Sequence, residues 1–268
     1  MSASATTLDH VGICARDAGP LHARFAALGF TLTPLARQSN DRGPLATGNR
    51  CAFFRQGYLE LLAILEPGLP DNGLGALLDR HEGMRILALG MDDAAANLAR
   101  LLAAGLPVPG IAPLARPCDD PEGRLARFER LPLPDAPEGR VQLVRHLTPE
   151  LLWQERWMSH PNRVVALEEA FILSDAPMES AARLSTLAGR PLEPRPGGGA
   201  LLRLDQGAVS VLEADATFPA LPRPTLGGCA FRTDDGTAAI RRLAPEGHAL
   251  PDGSWLLHAA GAALVFRP

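Results

Sequence analysis

His10 and Glu60 are the two residues of this sequence best placed to do chemistry. His10 lies in the short apolar run LDHVGI at 8–13, and Glu60 in GYLELLAIL at 57–65. An imidazole exchanges protons near neutral pH or presents a nitrogen to a metal. A carboxylate inside an apolar run is costly to bury without a cation, a metal or a hydrogen-bond donor. Side chains of a strand alternate between its faces. This predicts Leu59, Leu61 and Ala63 on one face of the second run, with Glu60, Leu62 and Ile64 on the other. In the first run it predicts Asp9, Val11 and Ile13 together, with Leu8, His10 and Gly12 opposite. If the faces holding Val11 and Leu61 meet a helix, His10 and Glu60 line one concave surface. Taken alone, His10 is equally a hydrogen-bonded strand histidine.

Further candidates flank this pair. Asn49 and Arg50, just before the strand CAFF, are turn and surface residues or else offer an amide and a guanidinium to a substrate carboxylate. Arg37, Gln38, Asn40, Asp41 and Arg42 form a polar stretch that is either solvated or a gate. In HLTPELLWQERWMSHPN at 146–162, Thr148-Pro149-Glu150 is a helix start, and Trp153 and Trp157 at i, i+4 form a core stripe. The functional alternative is a flap whose His146 and His160 close the mouth of the site, with Trp153 against the substrate.

The elements that must position these residues come as a repeat. A short strand, a helix of Ala, Leu and Arg ending near a glycine, and then short strands recur four times. The first strands are LDHVGI, RILALGM at 85–91, RVVALEEAFIL at 163–173 and GGCAFRT at 227–233. Helices are predicted near 21–28, 94–104, 178–188 and 236–244, each packing one face on a sheet.

The unit that opens with LDHVGI and closes with GYLELLAIL resembles the vicinal oxygen chelate superfamily of glyoxalases, extradiol dioxygenases and bleomycin-resistance proteins. TGNRCAFFRQGYLELLAIL and HLTPELLWQERWMSHPN are similar to its glyoxalase-like group. The resemblance implies an α+β fold of four βαβββ units forming two domains, 1–160 and 161–268, with curved sheets around a cup. It also implies a divalent metal (Fe, Mn, Ni or Zn) held by about four ligands from the first and last strands of two units. His10 and Glu60 match the first pair, and Glu60 could double as a proton shuttle. In the second unit no residue from Ile86 to Ala88 can coordinate. Aligning Gly139 with Gly57 sets Gln142 opposite Glu60, a weak substitute, and His146 lies four residues on, toward the rim. The third and fourth units place Ser210 and Leu264 where carboxylates would stand, so the concave face of 163–268 is expected to be apolar.

Composition removes other classes. The net charge is -4, and all 26 basic residues are Arg with no cluster longer than Arg241-Arg242, so nucleic acid is not an expected partner. No apolar run approaches 18 residues and no secretory signal opens the chain, so a cytoplasmic protein without a membrane partner is expected. The 4 cysteines lie far apart, without the spacing of a zinc knuckle. No phosphate loop or nucleophile elbow occurs. Three functions stay open: a metal-dependent lyase, isomerase or dioxygenase acting on a small oxygenated substrate, a metal-free small-molecule binder, and an inactive relative. A homodimer is compatible with any of them.

Overall fold

The computed structural model describes residues 3–40 and 43–268, so Asp41 and Arg42 lie outside the described residues. The first half gives β1 (Ala5–Ala15), α1 (Ala18–Ala27), β2 (Ala36–Asn40), β3 (Gly43–Phe53) and β4 (Tyr58–Ile64). After these come α2 (Leu74–Arg80), β5 (Gly83–Met91), α3 (Ala94–Ala103), β6 (Ala112–Pro117), β7 (Leu125–Leu131) and β8 (Arg140–His146). The second half follows with β9 (Val164–Leu173), α4 (Pro177–Ala188), β10 (Leu192–Pro194), β11 (Ala200–Arg203) and β12 (Ala208–Leu212). It closes with β13 (Thr225–Thr233), α5 (Ala238–Leu243), β14 (His248–Ala249), β15 (Trp255–Ala259) and β16 (Ala262–Arg267).

Two eight-stranded sheets result, ordered β2-β3-β4-β1-β5-β8-β7-β6 and β10-β11-β12-β9-β13-β16-β15-β14. Each is a pair of βαβββ units joined through an antiparallel pair of first strands, β1 with β5 and β9 with β13. In the first sheet the edge strands β2 and β6 approach each other, so the sheet nearly closes around its concave face.

Local chemistry sets the helices. Asp17 caps α1 by accepting from Gly19 N at 2.8 Å, and Asp93 caps α3 by accepting from Ala96 N at 2.9 Å. Pro177 opens α4, and Gly189, left-handed at φ 66, closes it. Leu21, Phe25 and Leu28 pack with Val11, Ile13, Leu59 and Leu61 in one core that continues to Phe231, Ile240 and Phe266 of the second half. The helix-bearing faces of both sheets thus share a core. Backbone bonds stitch the halves, Leu8 N to Gln206 O at 2.8 Å and Leu167 N to Gln56 O at 2.9 Å among them.

Three expectations need correction. The stretch after His146 is no helix but two separate 3-10 turns at Pro149–Leu151 and Glu155–Trp157. Arg37 and Gln38 belong to β2 and not to a loop. The concave face of the second half is apolar only in part. Phe171, Leu173, Leu212 and Val265 fill one end. Beside them an open recess of about 700 Å³ is polar, lined by Arg203 and Ser210 among others. Of its three carboxylates, Glu168, Glu169 and Asp205, Glu169 is satisfied by Ser210 and Arg267.

Candidate functional site

Glu60 sits on β4, where alternation is unbroken. Leu59 and Leu61 join the helix-side core, whereas Leu62 and Ile64 join an opposite cluster under α2. Glu60 therefore faces the concave side, as its spacing requires. β1 is different. Its pairing with β5 shifts between Leu8, opposite Leu89, and His10, opposite Ala88. Asp9 is the extra residue, and the bulge turns Asp9 and His10 toward the same side while Leu8 and Val11 both remain in the core. The expected grouping of Asp9 with Val11 and Ile13 fails for this reason.

The bulge builds a polar chain. Asp9 Oδ1 lies 2.6 Å from His10 Nδ1, and Asp9 Oδ2 lies 2.9 Å from His146 Nε2. A carboxylate can only accept, so His10 carries a hydrogen on Nδ1, and its Nε2 faces Glu60 Oε2, 4.0 Å away. Burial by itself would raise the Asp9 carboxyl, yet the charge of His146 and the hydrogen bonds from both imidazoles hold it well below the usual carboxylate range. Asn49 Nδ2 donates to Glu60 Oε1 at 2.5 Å. Tyr58 stacks on His10 with ring centroids 4.4 Å apart, and burial pushes its phenol well above the ordinary value.

His10, Asn49, Tyr58, Glu60 and Gln142 line one cleft of about 120 Å³, together with three guanidiniums, those of Arg116, Arg130 and Arg140. Gln38 from the expected gating stretch also reaches it. Other candidates do not. Arg37 is exposed and paired with Glu66 at 3.1 Å. Arg50, on the helix side of β3, donates to Thr33 O at 3.3 Å. His146 and Trp153 stand on a neighbouring cleft of about 510 Å³, shared with Asp9 and Gln206, where Trp153 Nε1 donates to Phe54 O at 3.0 Å. His160 is structural: its Nδ1 accepts from Thr31 N at 3.0 Å and its Nε2 lies 2.8 Å from Phe53 O. Burial lowers its affinity for a second proton, in keeping with that neutral arrangement.

The donor set can be tested against a divalent metal. Val11 pairs with Leu87 near the middle of the β1–β5 ladder, and a half-turn about that pair carries His10 onto Ile86. Gly12 pairs with Glu60 and Ala88 with Gln142, so the same rotation carries Glu60 onto Gln142. The second ligand pair is thus an isoleucine and an amide. His146 does not replace them, because it lines the neighbouring cleft and not this one. Among the described residues no group of three or more His, Cys, Asp or Glu is arranged to hold an ion. One Glu60 oxygen is already taken by Asn49, and the guanidiniums beside it repel a cation. Together, His10, Glu60, Gln142 and His146 do not fit a resident divalent metal. In the second half the corresponding places carry Glu169 and Ser210, and register assigns Val265 where Leu264 was expected.

Sequence reasoning missed Asp9, Arg116 and Arg130. The signal for Arg130 was present, since Ala126, Phe128 and Arg130 alternate along β7, and the first two lie in the concave cluster. Nothing in the sequence marks the bulge at Asp9.

A family model described as a glyoxalase-like domain matches residues 8–188. No curated protein matches the chain. Solved structures share its fold at low identity. A hypothetical protein from Staphylococcus aureus is 11% identical at a TM-score of 0.68, with 97% of this chain and 98% of that one covered. A mutant 4-hydroxymandelate synthase from Streptomyces coelicolor is 14% identical at 0.67, covering 98% and 93%. The Mn(II)-bound glyoxalase from Novosphingobium aromaticivorans is 11% identical at 0.58, covering 98% and 82%.

Proposed function

The chain belongs to the glyoxalase-like domain family, and from that premise we propose an enzyme that moves protons on a small oxygenated organic substrate without a resident metal. One observation carries the reading: an imidazole fixed by a buried carboxylate presents its free nitrogen to a cleft, 4.0 Å from a second carboxylate. Asp9 orients His10 and stabilises its protonated form, as the third member of an acid–base set must. His10 Nε2 takes a proton from a carbon next to a carbonyl. The C–H electron pair becomes a C=C bond as the carbonyl π pair moves onto oxygen, the proton passes from His10 Nε2 to Glu60, and Glu60 returns it at a neighbouring atom, so that both groups end as they began. The net change is an isomerisation, or an elimination if a leaving group departs from the adjacent carbon. The domain that does this corresponds to residues 1–160, with 161–268 as its partner.

The test is deuterium incorporation from D2O into pyruvate, 2-oxobutyrate and dihydroxyacetone, followed by proton NMR on chelator-treated protein. Exchange at the carbon beside the carbonyl of at least one probe, lost in His10→Ala and Glu60→Gln, is the expected result. A probe that binds the cleft without any exchange overturns the enzyme reading in favour of a metal-free binder, which the same missing ligand pair also allows.

A further inference from the structure

Among the described residues, the cleft carries more positive charge than its own carboxylate neutralises. Arg116 is 8% exposed, lies 5.8 Å above the Phe128 ring, and has Cys51 Sγ at 3.8 Å as its hydrogen-bond partner. No carboxylate among the described residues pairs with it. Arg130 makes no hydrogen bond or ion pair among the described residues, and its buried Nε is unsatisfied. Arg140 differs: Asp135 takes it at 2.9 Å, and Asn72 O accepts from it at 2.9 Å. Among the described residues, Glu60 is the one carboxylate in the lining. Two unpaired guanidiniums against one carboxylate leave a single positive charge over. Arg116 is buried and Arg130 half-buried, and a guanidinium withdrawn from water without a partner is expensive and is relieved where a ligand supplies the missing anion. A second orphan lies in the same lining, since Asn49 Oδ1 is buried with no donor.

We infer that Arg116 and Arg130 bind the carboxylate of a small 2-hydroxy or 2-oxo monocarboxylic acid, with Asn49 Oδ1 receiving its hydroxyl in the reduced form. This inference rests on the reading of the cleft as the active site and names the substrate class. One excess charge matches one carboxylate and not a phosphate monoester, which brings nearly two at neutral pH. A guanidinium fork matches the planar carboxylate with two donors at once. The small volume, about 120 Å³, lies below the range of drug-sized pockets and suits an acid of a few carbons. The same guanidiniums would hold the oxygen that gains charge when His10 removes a proton.

The experiment is saturation-transfer NMR and calorimetric titration of the full chain with lactate, with its neutral isostere lactamide and with inorganic phosphate. Lactate is expected to bind, lactamide to show no detectable binding, and phosphate to bind more weakly than lactate. Arg130→Gln and Arg116→Gln are each expected to weaken lactate roughly 10- to 100-fold, the loss of a charged hydrogen-bond pair, whereas Arg116→Lys restores part of it. Arg223→Gln, at an exposed arginine that pairs with Asp175 and does not line the cleft, should leave binding unchanged. Circular dichroism on each variant separates lost binding from lost folding, and Arg130→Gln serves if Arg116→Gln does not fold. Equal binding of lactate and lactamide, no binding of either, or phosphate binding more tightly than lactate overturns the assignment. Exchange into dihydroxyacetone that still depends on Glu60 would then leave the proton-transfer reading standing, so the two can fail separately.

Discussion

Asp9 holds His10 from the side of the ring away from Glu60, with 2.6 Å between Oδ1 and Nδ1. An amide in that place can donate where the carboxylate only accepts. Asp9→Asn should therefore drive the His10 hydrogen onto Nε2 and remove the free base from the cleft. Proton exchange is expected to fall roughly 10²- to 10⁴-fold, while the loss of two charged hydrogen bonds costs about 1.5–3 kcal/mol each. Nitrogen-15 NMR of the imidazole reports the tautomer directly. A full exchange rate in a folded Asp9→Asn protein would show that His10 is not the base.

The same carboxylate gives the fold an acid limb. Its folded pKa is held low, because the two histidines outweigh the burial that would raise it. An unfolded aspartate titrates near about 3.9, so as the pH falls the unfolded state takes up the proton first. Stability from Asp9 is complete above about pH 5 and is lost progressively below that. Urea unfolding at neutral pH and near pH 3.5 should show a larger acid loss in the wild type than in Asp9→Asn. Parallel losses would mean that other carboxylates carry the limb.

How far the sequence reveals this site depends on what interrupts its periodicity. GYLELLAIL is legible because β4 has no bulge and one face of alternating Leu meets a helix. LDHVGI is not, because one inserted residue changes which side chains share a face, and a bulge has no signature in the residues flanking Asp9. Trp153 and Trp157 do pack on the concave cluster, but their helical spacing misleads for another reason. Thr148 makes no side-chain cap, and Trp153 Nε1 and His160 instead bind main-chain atoms of Phe53, Phe54 and Thr31. Those tertiary bonds hold the segment in two tight turns. The helix α2, by contrast, shows in hindsight as Leu74, Leu77 and Leu78 at helical spacing, buried over Ile86 and Leu62.

The half-turn relating β1 to β5 makes a constructive prediction about metal. If Ile86 and Gln142 are the missing ligands, Ile86→His with Gln142→Glu should create a site of two imidazoles and two carboxylates. Elemental analysis after incubation with Mn, Ni or Zn is expected to find about one equivalent in the double variant. The wild type should hold none, and EDTA should leave its Tm unchanged. Ile86 packs with Cys14, Leu74 and Leu78, so the replacement costs about 2 kcal/mol before metal is added. A wild-type protein that keeps an equivalent of metal through purification without chelator would restore the metal-dependent reading.

Glu60 separates binding from chemistry, because its charge acts on them with opposite sign. Its Oε1 accepts from Asn49 at 2.5 Å, and its charge offsets the guanidiniums of Arg116 and Arg130 that share the cleft. Glu60→Gln keeps the volume and an acceptor for Asn49, and it weakens a charged bond by about 1–3 kcal/mol. It also removes the one negative charge that competes with an anionic ligand. Lactate should therefore bind several-fold more tightly to Glu60→Gln, while exchange into pyruvate falls at least about 100-fold, the scale of a lost acid–base group. Calorimetry and NMR exchange on the same preparation give both numbers. Tighter binding with unchanged exchange would leave Glu60 as an electrostatic neighbour of the ligand and pass proton return to another group. Weaker binding would mean that Glu60 contacts the ligand as an acceptor, which a carboxylate facing a carboxylate cannot do.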